Sequence, residues 1–235
     1  MLTPTANISI AETETDQQTQ ALLPPEIAHK LQRIAKEYCD EEGGCHGPDH
    51  SLRVEETALF IGARMGGRQD ILQASAILHD IGRRFETSSQ GAICHAEKGA
   101  EMSHDILTNC GLVAHDISAI CHAIRSHRFR GTNIPETLEA QIIFDADKLD
   151  SIGAIGIGRA FLFAGQIGSR LHNGSRDISG TKSYSTEDTA YREFKVKMCK
   201  VKDRMLTPVG KQLAIERHDF MKIFFRRLER EIFGS

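Results

Sequence analysis

No stretch of the 235-residue chain is apolar for long. The longest nearly apolar run, residues 152–165, is 14 residues and carries Arg159, too short and too charged to cross a bilayer. It reads as a core segment. The N-terminus opens with Thr, Asn and Glu where a secretory signal needs a basic and then an apolar region, so a cytoplasmic protein is expected. The six cysteines contain no C-x-x-C pair, which argues against a disulfide framework or a cysteine metal site. Glycine and proline together make only 26 of 235 residues, which excludes collagen-like and low-complexity chains. Strand-like alternation is nowhere sustained, and no internal repeat is present. Gly153, Gly156 and Gly158 match neither a P-loop nor a dinucleotide fingerprint and read instead as positions of close helix packing.

What is present is helical periodicity. Ile27, Leu31, Ile34, Ala35 and Tyr38 share one face of a helix opened by Pro24 and Pro25 and stopped by Gly43 and Gly44. A second helix is predicted from Pro48 to Met65, and a third is capped by Asp70 and carries Ile71, Leu72, Ala74, Ile77, Leu78 and Ile81. Further patterns cover 95–109, 113–127 and 136–150, the last continuing toward 165. Tyr191 to Met205 form another stripe, and Leu213 to Leu228 follow beyond Pro208. An all-α fold of about eight helices in one globular bundle is expected. Residues 1–22 read as a flexible polar tail, 23–165 as the core, 166–186 as a long mobile loop rich in Gly, Ser, Asn and Asp, and 187–235 as C-terminal helices packed on the core. From Tyr191 onward there are 12 Lys/Arg against 6 Asp/Glu. That excess reads as a solvated helix face, and a nucleic-acid partner is not expected.

Histidine is the unusual count: eight of the 11 lie between residues 46 and 127. His79-Asp80 interrupts the apolar run Ile77-Leu78 and Ile81. A buried imidazole beside a carboxylate calls for a compensating partner, which a metal supplies. The other intrusion is Asp145-Ala146-Asp147-Lys148-Leu149-Asp150 after Ile142-Ile143-Phe144. It needs a counter-cation, either a metal or a network of arginines. At about 100° per residue Asp147 and Asp150 share a side and Asp145 points away from Asp147. His46 and His50 have an i, i+4 separation, but Pro48 suits a first helical turn, leaving His46 on the preceding loop and His50 on the helix.

These elements, His50, then His79-Asp80 and then Asp147, occur in that order with separations of 29 and 67 residues. In this they resemble the HD-domain metal-dependent phosphohydrolases over residues 25–165. His95-x-x-x-Gly99-Ala100 and Asp147-Lys148-Leu149-Asp150-x-x-Gly153-Ala154 further resemble a bacterial branch of small HD hydrolases that includes nucleoside-triphosphate pyrophosphohydrolases. The resemblance implies that His50, His79, Asp80 and Asp147 ligate one divalent ion. Such a mixed nitrogen and oxygen site suits Mn²⁺, Mg²⁺, Fe²⁺, Co²⁺ or Ni²⁺. Arg53, Arg83 and Lys148 each flank a metal element, and with His46 they are expected to bind substrate phosphate. Asp80, His95 and His127 are the expected catalytic residues, the two histidines contacting phosphate or leaving group rather than a second ion. The roles of His122, Asp145 and Asp150 stay open. The expected substrate is a small phosphorylated molecule of nucleotide type, split to monophosphate and pyrophosphate. 5'-Nucleotidase, cyclic-nucleotide phosphodiesterase and a non-catalytic nucleotide sensor are the alternatives. No membrane partner is expected, and a homo-oligomer is compatible with the sequence.

Overall fold

The computed structural model describes residues 21–38, 47–128, 133–178 and 180–234. The described residues contain helices and no strand, so the chain is all-α. The first helix, α1 (Pro25–Tyr38), is followed by α2 (Pro48–Met65) and α3 (Gln69–Leu78). In α3 every residue from Ile71 to Leu78 is buried, Gln73 and Ser75 included, so this stretch has no solvent-facing side. It therefore runs through the middle of the bundle. Leu72 and Ala76 pack into one core cluster with α2 and the C-terminal half of the chain. Ile71, Ala74, Ile77 and Leu78 pack into a second cluster with α1.

The remaining helices divide between these two cores. A short α4 (Arg83–Ser88), which the sequence pattern does not reveal, leads to α5 (His95–Asn109) and α6 (Ala114–Ser126), whose apolar faces join the α1 cluster. The next pair, α7 (Leu138–Leu149) and α8 (Gly153–Gln166), joins the other. A helix continuing from 136 through to 165 is not what forms. Gly153 has a φ of 75°, and a side chain there would meet Arg217 at 2.9 Å, so the chain turns at residues 150–152. Gly156 does permit close packing, since a Cβ would lie 2.3 Å from the Ser151 carbonyl oxygen. Gly158 does not, having open space around it. Asp70 is likewise not the cap of α3: the N-cap is Arg68, and the Asp70 carboxylate pairs with the Arg68 guanidinium at 2.6 Å.

Beyond α8 the described chain has no helix until α9 (Ala190–Glu193), which continues through a π-helical turn at Phe194–Met198 into α10 (Cys199–Val201). The connecting loop is fastened at its base by buried and half-buried hydrogen bonds. Asn173 Nδ2 donates to the Glu187 carbonyl at 2.9 Å, and Arg192 donates to Asp188 and to the Thr181 carbonyl, each at 2.7 Å. The last helix, α11 (Pro208–Phe233), is capped by Thr207. Its start is held by Asp145, fully buried, which accepts from the Leu206 and Thr207 amides at 2.8 Å and from the Thr207 hydroxyl at 2.7 Å. The C-terminal helices thus complete the same core as α2, α7 and α8. Residues 1–20 and the expected end of the first helix at Gly43 and Gly44 lie outside the described residues, as does His46.

Candidate metal centre

Helix ends build the site. His50 stands in the first turn of α2 behind Pro48. His79 closes α3, with Asp80 in the turn that follows. His95 is the first residue of α5, His127 caps the end of α6, and Asp147 lies in the last turn of α7. The turn at 79–82 and the start of α5 meet backbone to backbone. A Cβ on Gly82 would stand 2.2 Å from the His95 carbonyl oxygen, so only glycine lets the two helix ends approach this closely.

Each imidazole is oriented by its Nδ1. His79 Nδ1 donates to the Ala76 carbonyl at 2.7 Å and His127 Nδ1 to the Ile124 carbonyl at 2.6 Å. His50 Nδ1 donates to Asp150 at 2.7 Å, and His95 Nδ1 donates to Glu86. Acceptors at all four Nδ1 atoms leave the Nε2 atoms as lone pairs in the neutral rings. These lone pairs face each other, His50 to His79 at 3.2 Å and His95 to His127 at 3.2 Å. Two acceptors cannot bond to one another, and only a cation or a shared proton reconciles them. The donor atoms form two compact groups, His50 with His79 and Asp147, and Asp80 with His95 and His127. Asp80 stands between them. Its Oδ2 lies 3.8 Å from His50 and 3.7 Å from His79, while its Oδ1 lies 3.6 Å from both His95 and His127.

The electrostatics fit a divalent ion. Burial holds His79 down at about 3, and burial together with the Arg83 charge holds His95 at about 4. Both rings are therefore neutral at neutral pH. Burial opposes charge on Asp147, yet Lys148 and His50 keep its carboxyl well below the usual range. Burial also opposes a proton on His50, but its bonds to Asp147 and Asp150 outweigh that and raise it. An ion arriving at Nε2 must displace that proton, which makes binding pH-dependent.

The structure brings His50, His79, Asp80 and Asp147 together, and adds His95 and His127. The basic residues expected at phosphate are each engaged with a carboxylate. Arg53 forks onto Asp150 at 2.6 and 3.0 Å, Arg83 forks onto Asp80 at 2.8 and 3.0 Å, and Lys148 meets Asp147 at 2.6 Å. Asp150, left open by the sequence, supports His50 from behind, where Arg53 and Arg159 hold it. His122 faces away and accepts from the Glu136 amide at 3.1 Å. Glu86, Arg128 and Arg159 were missed altogether: Glu86 orients His95 and is itself held by Arg128 at 2.6 Å, and no motif announces a partner reached only through folding. Beside Arg159 opens a cavity of about 320 Å³, whose lining includes Ser151, Phe163, Tyr184, Glu193 and Lys197.

Buried imidazoles and carboxylates converging at the ends of packed helices form a site able to hold a metal ion. Comparison with known proteins supplies the family. The HD domain matches residues 48–152. The uncharacterized protein YpgQ of Bacillus subtilis is 30% identical over 211 residues, 88% of this chain and 94% of YpgQ. A crystal structure of YpgQ in complex with ADP superposes with a TM-score of 0.68 at 28% identity, covering 87% of this chain and 97% of that one. A crystal structure of a predicted HD superfamily hydrolase from an uncultured Thermotogales bacterium gives 0.61 at 27% identity, covering 88% and 91%. The chain belongs to the HD-domain family and is a metal-dependent hydrolase of that superfamily. Among the described residues no helix is long and apolar enough to cross a membrane.

Proposed function

We propose that this protein is a phosphohydrolase of nucleotides, cleaving nucleoside triphosphates to monophosphate and pyrophosphate. The observation that carries the reading is a buried donor set of His50, His79, Asp80 and Asp147 with a fixed cation on each carboxylate, Arg83 on Asp80 and Lys148 on Asp147. Phosphoryl transfer needs just such positive charge around the equatorial oxygens. The ADP bound to YpgQ supports a nucleotide as the ligand.

These four residues would hold one ion, of Mn²⁺, Mg²⁺, Fe²⁺, Co²⁺ or Ni²⁺ type. When bound, the ion supplies Lewis acidity that polarises a phosphoryl oxygen and acidifies water. Arg83, Lys148 and the partly exposed Arg53 receive the phosphate charge. His95, neutral at physiological pH, and His127 contact the phosphate or the leaving group. The cavity beside Arg159 takes the nucleoside. There Phe163 and Tyr184 meet edge to face, with ring centroids 5.4 Å apart, and offer an aromatic wall to a base.

The test is a release assay over nucleoside mono-, di- and triphosphates and cyclic nucleotides with Mn²⁺, Mg²⁺, Co²⁺ and Ni²⁺. Pyrophosphate from triphosphates is the expected product. Orthophosphate from monophosphates, or opening of cyclic nucleotides, would replace this assignment with a 5'-nucleotidase or a phosphodiesterase. No turnover with any nucleotide despite bound metal would leave a sensing module.

A further inference from the structure

The second donor group, Asp80 with His95 and His127, is as buried as the first, yet a side chain of the protein already lies on it. Arg83 follows Asp80 by three residues and turns back. Its Nη2 donates to Asp80 Oδ1 at 2.8 Å and stands 3.2 Å from His95 Nε2, while its Nε donates to Asp80 Oδ2 at 3.0 Å. Because Glu86 takes the proton side of His95, the Nε2 facing Arg83 is a lone pair, and it accepts. Two of the three donors in the group are thus engaged by one guanidinium, a cation that does not deprotonate.

We propose that Arg83 is the resident cation of this second group, restricting the centre to one divalent ion, and that Asp80, His95 and His127 become a second divalent site when the guanidinium is removed. Charge points the same way as geometry. Among the described residues the carboxylates facing the two groups are Asp80 and Asp147, whose two charges equal those of one divalent ion, and Lys148 already lies on Asp147. Glu86 is held by Arg128, and Asp150 by Arg53 and Arg159. A second divalent ion would therefore meet Arg83 with no further carboxylate to offset it. With Arg83 replaced by an uncharged side chain, Asp80 can offer one oxygen to each group, the bridging use its position between them allows.

The proposal rests on the ion assigned above to the first group, and ion counting separates the two. Protein loaded with Mn²⁺ and desalted is assayed for metal per chain by elemental analysis, and electron paramagnetic resonance reports spin coupling between neighbouring ions. Wild type should hold one uncoupled Mn²⁺. Arg83→Met should hold two with a coupled spectrum, and Arg83→Met combined with His127→Ala should return to one. Two ions in wild type, or a single ion in Arg83→Met, overturns the role of Arg83 and leaves the first site standing. No ion in wild type removes the first site and this proposal together. If Arg83→Met does not fold, His127→Ala decides: an unchanged count of one supports the proposal, and a fall from two to one overturns it.

Discussion

Asp150 gathers the most demanding set of bonds around the centre. Its Oδ1 accepts from Arg53 Nε at 2.6 Å, and its Oδ2 accepts from His50 Nδ1 at 2.7 Å, from Arg53 Nη2 at 3.0 Å and from Arg159. Asp150→Asn preserves the shape but offers one oxygen where two are needed. With the amide oxygen kept toward His50 and Arg159, the NH₂ group faces Arg53 Nε, donor against donor. Loss of a charge-assisted bond costs about 1.5–3 kcal/mol, of which Arg53, 35% exposed, recovers part from water. Metal-free protein should therefore lose about 1–2 kcal/mol of stability. The larger effect falls on the ion, because removing the carboxylate behind a ligating histidine costs 10- to 100-fold in affinity, or about 1.4–2.7 kcal/mol. Although burial opposes its charge, the bonds from His50 and Arg53 hold the Asp150 carboxyl well below the usual range. Its contribution is then complete above an unfolded-state pKa of about 3.9, and is lost as pH falls toward the depressed folded value. The stability gap between wild type and variant should accordingly shrink below about pH 4. Calorimetric titration with Mn²⁺ and denaturant unfolding across pH measure both effects. A Mn²⁺ affinity within twofold of wild type would refute the claim that Asp150 positions His50.

Three further substitutions separate the layers around the site. Gly82→Ala puts a Cβ against the His95 carbonyl and, at 2.7 Å, the Gly99 amide nitrogen. Since both are backbone, α5 must move, and a loss of about 1–3 kcal/mol in denaturant unfolding is expected, with activity falling at least tenfold as His95 leaves Asp80. Asp145→Ala strands the Leu206 and Thr207 amides and should lower stability by about 2–5 kcal/mol, followed by thermal melts. The metal-free and metal-loaded forms should lose equally, because Asp145 anchors α11 and touches no ligand atom. Burial raises the Glu55 carboxyl, where Gln73 donates to it at 2.9 Å. A raised folded pKa means the folded state binds more protons, so wild-type stability declines as pH rises from about 4.3 through that value. Glu55→Gln should flatten this decline and equal or exceed wild type at pH 8, and an unchanged pH slope would show that Glu55 is not the group responsible.

The sequence alone marked three of the proposed ligands, His79, Asp80 and Asp147, because they break its own pattern, whereas His50 was reached through the family resemblance. His79-Asp80 inside an apolar run, and Asp145, Asp147 and Asp150 after another, are polar groups that a core does not tolerate without a partner, and that conflict is visible in one dimension. Helical phase also turned Asp145 away from Asp147, and Asp145 is found bonded to Leu206 and Thr207 at the start of α11. What one dimension cannot hold is which groups meet across helices. Glu86 behind His95, Arg159 beside Asp150, and the two oxygens of Asp80 divided between two pairs of imidazoles all depend on where helix ends arrive after packing. The short α4 and the break at Gly153 escaped for a related reason: both are settled by close contacts, with α5 and with Arg217, and not by local preference. Arg53, Arg83 and Lys148 show the division most clearly. Their positions next to the metal elements are a property of the sequence, but that each lies on a carboxylate, and that Arg83 also reaches His95, follows only from tertiary structure, because a long charged side chain finds its partner through space and not along the chain.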